Sequence, residues 1–302
     1  MLPKGVIVFE RGWLSANNVL LLGEGPTALV DSGYCTHSAQ TVALVVGALQ
    51  GQRLEWLLNT HLHSDHCGGN AAIQASFPEV KTLVPPGQFE AVRQWDPVAL
   101  TYEPTGQLCP RFEASGALRP GEEVHLGDFL WQVHAAPGHD PHSVVLFEPS
   151  SRTLISADAL WANGFGVVFP ELEGEAAFDE VGRTLDVIEG LSPSTVIPGH
   201  GAVFTDVGSA LLEARRRLDG FLRDPTRHAR HAARVLLKFK LLELQEISDQ
   251  ALTAWIASTP YFRTIHGQWF QGEPLDRWAG GLIPDLIRSD AASLVHGVVS
   301  NR

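Results

Sequence analysis

Short apolar runs bounded by turn residues recur through the first part of the chain and predict strands. The runs lie at 6–9, 17–22, 28–30, 54–58 and 80–84. Between them, Val42, Val45, Val46 and Leu49 recur at the spacing of one helix face, which predicts a helix over 37–49. A second helix is predicted over 70–77. Strands that alternate with helices indicate an α/β layered architecture.

The stretch 85–121 loses this regular periodicity. It holds several prolines together with Trp95, Tyr102 and Phe112. Long irregular stretches in compact domains are usually lids, binding loops or disordered segments, and the aromatic side chains favour a lid. Regular patterns return afterwards. They predict a helix at 178–191 and strands at 123–128, 129–134, 144–147, 153–155 and 195–197.

The composition changes after about residue 209, where helical patterns dominate. Helices are predicted over 211–221, 227–244, 249–257 and 284–299, with Pro284 at a first helical position. We therefore predict two units, a catalytic domain at 1–208 and a C-terminal helical domain at 209–302. The second unit carries Arg230, Arg234, Lys238 and Lys240. This basic run is either an attractor for an anionic substrate tail or, more commonly, the solvated face of a helix.

Composition limits the class of protein and its partners. A chain of 302 residues that is 44% hydrophobic is long enough for one large core, or for one core and an annex. A formal net charge of -12 argues against a nucleic acid or an anionic membrane as the main partner. No apolar run approaches the ~20 residues of a membrane span, and the N-terminus lacks a signal-peptide core. We expect a cytoplasmic protein with a small-molecule substrate; monomer and homodimer both stay open.

The three cysteines do not suggest a disulfide framework. Cys35, Cys67 and Cys109 are odd in number and widely spaced. Cys67 directly follows a segment rich in histidine and aspartate. It is either a reactive neighbour of that segment or a small buried residue, and the second role is the commoner one.

Candidate chemistry is concentrated directly after the strand predicted at 54–58. Three imidazoles and a carboxylate fall within six residues, namely His61, His63, Asp65 and His66. Histidine and aspartate are the ligands that Zn²⁺ and related ions prefer, and a turn lets such side chains converge. His61 and His63 can share one ion, while Asp65 and His66 face a second position. The alternative is a solvated loop, but solvated loops rarely follow an apolar strand and end in Gly-Gly.

Three more polar residues stand where predicted strands end. His139 follows a Pro-Gly turn, and His200 follows a second Pro-Gly turn in the same way. Asp158 ends a buried strand, where a carboxylate is costly unless it is paired or binds a cation. These residues complete a candidate ligand set of seven side chains.

The block His61-x-His63-x-Asp65-His66, followed by Pro-Gly-His139, Asp158 and Pro-Gly-His200, resembles the signature of the metallo-β-lactamase superfamily. The resemblance covers residues 1 to about 207 and implies an αββα sandwich. It assigns His61, His63 and His139 to one ion, Asp65, His66 and His200 to another, and Asp158 to both. Asp31 resembles the family's early aspartate, which braces the metal loop, although a simple turn or cap explains it equally well. The true β-lactamases lack the bridging aspartate, so the resemblance excludes that branch.

A pair of metal ions implies a hydrolytic chemistry. Two cations about 3.5 to 4 Å apart hold a hydroxide that serves as nucleophile, and Asp65 is placed to take or pass on a proton. Carboxylic esters, lactones, thioesters and phosphoesters are all within reach. Zinc is the expected metal, although His and Asp ligands also accept iron, manganese or nickel.

Two branches of the family differ from this chain after Asp158. Glyoxalase II enzymes, which the metal block resembles, recognise glutathione with a lysine and a tyrosine where Val167 and Phe169 stand here. The resemblance to quorum-quenching lactonases is equal, but Trp161 replaces their tyrosine. Trp161, Phe165 and Phe169 together suggest a pocket for a hydrophobic acyl group. The alternative is that these aromatic rings pack the annex against the core.

The sequence therefore predicts a dinuclear metal-dependent hydrolase for an ester, lactone or thioester with a hydrophobic acyl part. A persulfide dioxygenase with a single iron, or a phosphoesterase of the same superfamily, would keep the same residues. A nucleic-acid-processing enzyme is disfavoured by the negative charge, and a binding protein without catalysis is disfavoured by the full ligand set.

Overall fold

The computed structural model describes residues 2–302. A first sheet contains six strands that follow one another from edge to edge in chain order. They are β1 (Val6–Phe9), β2 (Asn18–Leu21), β3 (Ala28–Val30), β4 (Trp56–Leu58), β5 (Lys81–Val84) and β6 (Gly116–Ala117). Strands β1 to β3 pair antiparallel, whereas β3 to β6 pair parallel. Parallel neighbours need crossover connections, so this half of the sheet carries helices between its strands.

A second sheet contains five strands in the order β11-β10-β9-β8-β7. They are β7 (Glu123–Leu126), β8 (Phe129–Ala135), β9 (Val144–Glu148), β10 (Thr153–Ala157) and β11 (Thr195–Pro198). All pairs are antiparallel except β10 with β11. The parallel pair places the residues that follow β10 and β11 at the same end of the sandwich.

Twelve helices accompany the strands within residues 2–302. In chain order they are α1 (Ser38–Leu49), α2 (Ser64–Cys67), α3 (Asn70–Ser76), α4 (Phe89–Gln94), α5 (Tyr102–Thr105), α6 (Phe169–Leu172), α7 (Phe178–Leu191), α8 (Val207–Arg223), α9 (Pro225–Leu244), α10 (Asp249–Ser258), α11 (Pro260–Trp269) and α12 (Leu275–Arg288). Short 3₁₀ turns at Cys35–His37 and Pro86–Gln88 precede α1 and α4.

The predicted αββα layering is confirmed by the packing of the apolar side chains. Val30 and Leu58 of the first sheet meet Val144, Ile155 and Ile197 of the second in one buried cluster between the sheets. The outer face of the first sheet packs on α1 and α3, and the outer face of the second packs on α7 and α8. The inner strands of the two sheets are thus buried on both faces, which explains why β2, β3, β9 and β10 are nearly continuous apolar runs.

The segment predicted as an irregular lid is ordered around its own small core. Helices α4 and α5 and strand β6 lie within it, and Tyr102 and Phe112 are almost fully buried. These side chains pack against Leu62 and Cys67 of the polar segment after β4. Cys67 is itself fully buried, as the commoner of its two predicted roles requires. The segment therefore supports one side of the candidate site.

The C-terminal part has a separate core but is not purely helical. Its buried side chains come mainly from α9 to α12, while α8 packs on the layer of α7. Three further strands, β12 (Glu246–Ser248), β13 (Ala292–Val295) and β14 (Val298–Asn301), form a small antiparallel sheet. The division at 208 and 209 remains a prediction.

The predicted helix at 284–299 is wrong. Helix α12 ends at Arg288, and residues 292–301 form the β13–β14 hairpin. Pro284 lies inside α12, where it costs about 3 kcal/mol relative to alanine. The burial of Trp278, Leu282 and Ile283 on the same helix offsets this cost.

Among residues 2–302, no helix combines the length and the apolar character that crossing a membrane would require.

Candidate metal centre

The candidate ligands gather at one end of the sandwich because strand ends deliver them there. Asp31 directly follows β3 and His61 comes shortly after β4, which pair in parallel. Asp158 directly follows β10, and His200 comes two residues after the neighbouring parallel strand β11. The carboxyl ends of parallel strands open at one edge, which is where ligands usually bind in α/β proteins.

Three imidazole nitrogens form a tight triangle. His61 Nε2 lies 3.1 Å from His63 Nδ1 and 3.2 Å from His139 Nε2. His63 Nδ1 lies 2.8 Å from His139 Nε2. Ligands at about 2.0–2.1 Å from one tetrahedral Zn²⁺ would be about 3.3 Å apart, close to the observed spacing.

The remaining nitrogens of two of these rings are held by other groups. His139 Nδ1 donates to the carbonyl of Val167 at 2.5 Å, so its Nε2 carries the free lone pair. His61 Nδ1 lies 3.2 Å from the Thr60 hydroxyl. Partners of this kind fix the tautomer and the orientation of metal-binding histidines.

A second group contains Asp65, His66, Asp158 and His200, each with one ligand atom within 4.8 Å of the others. His200 Nε2 lies 3.1 Å from Asp65 Oδ2. His66 Nε2 lies 3.4 Å from Asp158 Oδ1 but is buried without a hydrogen bond in the described chain 2–302. A buried nitrogen of this kind is costly unless a ligand satisfies it.

Asp158 lies between the two groups. Its Oδ2 is 3.4 Å from His139 Nε2 and 3.9 Å from His200 Nε2, while its Oδ1 faces His66. The Trp161 indole also donates to Oδ1 at 3.2 Å. One carboxylate thus reaches both sets of nitrogens.

Asp31 holds the polar segment that follows β4 in place through hydrogen bonds. Its Oδ1 accepts from the Thr60 backbone N–H at 2.9 Å, and its Oδ2 accepts from the Thr60 hydroxyl at 2.8 Å. The same Oδ2 accepts from His66 Nδ1 at 2.7 Å, which leaves His66 Nε2 free to face the second group. Of the two roles considered for Asp31 from the sequence, the structure shows the bracing role.

The backbone is constrained around these ligands. Ala157 has a φ of 46°, a left-handed conformation that side chains rarely adopt, and it aims Asp158 into the site. At Gly199 an added Cβ would lie 2.1 Å from Asp158 Oδ1. At Gly69 an added Cβ would lie 2.4 Å from the carbonyl of Ser32, so this glycine permits close packing after the ligand segment.

Electrostatics keep most of the candidate ligands in the forms that bind metals. Burial lowers the pKa of His61 well below its ordinary value and the pKa of His63 to about 3. Burial alone would raise the pKa of Asp158, but His66 and His200 hold it well below the usual range. Neutral imidazoles and ionised carboxylates are the protonation states that coordinate cations.

His66 shows that this end of the site favours a positive charge. Burial alone would lower its pKa, but the carboxylates of Asp158 and Asp31 raise it well above the ordinary value. A divalent cation would supply that charge in place of a proton. The residues present therefore fit the metal ions that His and Asp donors prefer.

A cavity of about 530 Å³ opens on both groups. Trp161, Phe165 and Phe169 all line it, so the three residues predicted for the substrate pocket lie beside the candidate ligands. They also join the two parts of the chain, because Phe165 packs on Phe221 and Phe169 on Tyr261. The two interpretations of these rings are thus compatible.

Several residues of the site are not signalled by the sequence. Trp13 is 60% exposed, lies at the cavity and stacks on the His200 ring at 5.3 Å. The buried Asn17 side chain donates to the carbonyls of Pro198 and Gly201, on either side of His200. Residues of α9 form a cavity wall through Val235 and Phe239. None of these lies in a motif, because their roles depend on tertiary contacts.

Comparison with known proteins identifies relatives of the first part of the chain. A family model described as the metallo-beta-lactamase superfamily matches residues 11–200. A hydroxyacylglutathione hydrolase of Anaeromyxobacter dehalogenans is 33% identical over 52% of this chain and 51% of its own length. Another, from Methylococcus capsulatus, is 30% identical over 61% of each chain. The chain spans about half the length of the first curated relatives that it matches.

A solved structure shares the fold along the whole chain. A metallo-beta-lactamase family protein from Thermus thermophilus superposes with a TM-score of 0.58 and 19% identity, covering 100% of both chains. At this identity the likeness concerns the fold alone.

Proposed function

We propose that this chain, which belongs to the metallo-beta-lactamase superfamily, is a metal-dependent hydrolase of an ester, lactone or thioester with a hydrophobic acyl part. The observation that carries the proposal is the pair of adjacent ligand groups beside an aromatic-lined cavity. Two divalent ions, zinc in the first instance, would be held by these groups: one by His61, His63 and His139, the other by Asp65, His66 and His200, with Asp158 available to both.

Divalent ions at such a site supply Lewis acidity for a carbonyl and make a water molecule acidic enough to react near neutral pH. The protein's own residues then orient the substrate and handle protons. Asp65 lines the cavity, and although burial opposes ionisation, its hydrogen bond with His200 lowers the pKa of its carboxyl group. In this proposal Asp65 acts as a carboxylate that accepts a proton at one of its oxygens.

The aromatic residues give the site its preference for an apolar acyl group. Phe169 packs on the His63 ring at 4.7 Å, and Trp161 lies 5.5 Å from the His200 ring. An acyl chain beside these rings would exclude water from the reacting carbonyl. The relatives named as hydroxyacylglutathione hydrolases support a thioester among the substrates. Val167 and Phe169, which stand where glutathione-binding residues are expected, argue for a different thiol.

The test is proton release from metal-loaded protein in a pH-stat with matched acyl lactones, esters and thioesters. Turnover of one class, abolished together with metal binding in His139→Ala and Asp158→Ala, is the expected result. Full activity of these variants without metal would refute the proposal. If no substrate of the panel is hydrolysed by protein with two metals per chain, phosphoesters become the favoured substrates. If none is hydrolysed by protein with a single iron, persulfide oxidation becomes the favoured reaction.

A further inference from the structure

Helices α8 and α9 concentrate positive charge on an otherwise acidic protein. Residues 207–244 hold nine Lys and Arg against four Asp and Glu, although the formal net charge of the chain is -12. A polar cleft of about 850 Å³ lies between these two helices and is lined by six arginines. The cleft and the cavity of the candidate metal centre share Arg217, His231 and Arg234. The positive region is therefore continuous with the proposed active site.

Only some of the arginines in this region pair with a carboxylate. In residues 2–302, no carboxylate oxygen lies within 4.0 Å of Arg217, Arg227 or Arg234. The acidic groups nearby are engaged elsewhere. Glu213 pairs with Arg216 at 2.8 Å, and Asp219 pairs with Arg223 at 3.8 Å. Asp224 caps α9 by accepting from the Arg227 backbone N–H.

Arg217 is held in place by groups that do not neutralise it. Its guanidinium lies over the rings of Phe165 and Phe221, at 5.6 and 5.4 Å from their centroids. It also donates to His231 Nε2 at 2.7 Å. Burial and then the nearby guanidinium groups, Arg217 foremost, lower the pKa of His231 to about 4. The ring is therefore neutral and orients the cation without adding charge.

Arg234 provides a second observation that points to a ligand. Its Nε is buried and finds no hydrogen-bond partner among residues 2–302. A guanidinium has five donors in a planar fork that matches a carboxylate or a phosphate. A buried donor of this kind without a partner is costly, and a bound oxyanion would remove the cost.

We propose that Arg217 and Arg234 bind an anionic group of the substrate, a carboxylate or a phosphate, where the cavity meets the basic cleft. The inference rests on the proposed function for the identity of the scissile bond. Apolar side chains of α9, Val235 and Phe239, line the cavity with these arginines. The substrate is thus an acyl compound with an apolar middle and an oxyanion at its far end.

The test compares three 4-nitrophenyl esters with acyl chains of similar length: the neutral hexanoate, the mono-ester of adipate and the 6-phosphonohexanoate. Wild-type protein should prefer one anionic ester over the neutral ester about tenfold or more in kcat/KM, and the better of the two identifies the oxyanion. Arg234→Gln should reduce this preference about 10- to 100-fold, mainly through KM. Arg234→Lys should restore part of it.

Arg216→Gln is the matched control. Arg216 lies on α8 beside Arg217, but its side chain is 79% exposed and paired with Glu213. This variant should keep the wild-type preference. A wild-type preference near one, or an unchanged preference in Arg234→Gln, would overturn the proposal while leaving the hydrolase assignment intact.

Binding to metal-free protein decides the proposal independently of catalysis. Adipate and inorganic phosphate are titrated calorimetrically after chelation, with chloride at equal ionic strength as reference. Saturable binding of one of them that Arg234→Gln weakens at least tenfold, with an unchanged melting temperature, supports the site even if no ester is hydrolysed. Equal or absent binding in both proteins refutes it.

Discussion

Asp31 orients a candidate ligand without being a candidate ligand itself. It adopts a φ of 58° and is buried, and its carboxylate accepts from the Thr60 backbone, the Thr60 hydroxyl and His66. The left-handed conformation at this position is unfavourable for most residues, although aspartate tolerates it better than most. The local strain is offset by three hydrogen bonds that fix the segment after β4.

Asp31→Ala should lower metal affinity about 10- to 100-fold, because His66 loses the partner that orients its ring. The measurement is competition with a chromophoric chelator, together with the metal content after dialysis. Asp206→Ala is the control, since Asp206 caps α8 and its loss costs about 1 kcal/mol of stability away from the ligands. If the two variants bind metal equally well, Asp31 does not position His66.

The candidate ligands could be predicted where residue types that bind metals directly follow predicted strands. His61, His63, Asp65, His66, His139, Asp158 and His200 are polar residues that follow apolar strands, and the structure brings all seven together. Arg234 was identified only as part of a basic run with two possible roles, whereas Trp13 and Asn17 could not be found in this way. Their contacts join segments more than a hundred residues apart or depend on a cavity, and no local pattern encodes such contacts.

At the scale of elements, the strand and helix patterns of the first two hundred residues predicted an α/β layered architecture, and the family resemblance implied the sandwich. The C-terminal sheet was missed. The β13–β14 hairpin turns at His296 and Gly297, both with positive φ. A two-residue turn that ends in glycine between apolar runs is a hairpin signal. The sequence contains this hairpin signal, but the predicted helix was continued across it.

Tyr34 connects α9 to the catalytic layers. Its buried hydroxyl donates to Glu243 Oε2 at 2.9 Å and accepts from the Leu108 backbone N–H at 3.1 Å. The ring also packs edge-on against Phe239 of α9. A single side chain thus joins the segment after β3, the 85–121 segment and the helix that lines the cavity.

Tyr34→Phe should lower the free energy of unfolding by about 1–3 kcal/mol, because Glu243 Oε2 and the part-buried Leu108 N–H lose their hydrogen bonds to the hydroxyl. Tyr102→Phe offers a matched comparison. The Tyr102 hydroxyl is also buried but contacts a thiol, Cys67 Sγ, at 3.1 Å, and a smaller loss is expected. Urea unfolding of the metal-loaded proteins measures both. Equal losses would show that the link to α9 adds nothing to stability.

At the scale of the whole molecule, the stability of the fold should depend on pH through a buried histidine that is not one of the candidate ligands. His228 lies on α9 and accepts from the Val168 backbone N–H at 3.0 Å. Burial, followed by His231 and Arg217, lowers its pKa to about 3. The rings of Phe178 and Phe221 pack against it.

The direction of the pH dependence of stability follows from the number of protons that the folded and unfolded chains bind. Between an unfolded pKa of about 6.5 and the folded value of about 3, the unfolded chain binds more protons at His228 than the folded chain. Stability is therefore retained above pH 6.5 and lost progressively below it, by up to ~1.4 kcal/mol per pH unit for this ring. His228→Gln, which keeps an acceptor, should reduce the slope by that amount in chemical denaturation from pH 7 to pH 4.5. An identical slope would contradict the assignment.

The position of α9 in the sequence has a consequence for biosynthesis. Every proposed metal ligand precedes α9, yet this helix forms a wall of the cavity and carries Arg234. Domains generally fold N-terminal first as they leave the ribosome, at roughly 5–20 residues per second. The 44 residues from His200 to Leu244 then require roughly 2 to 9 s. During that interval the nascent chain would present an open ligand set to cellular metals, so we expect metal acquisition to precede the formation of the substrate pocket.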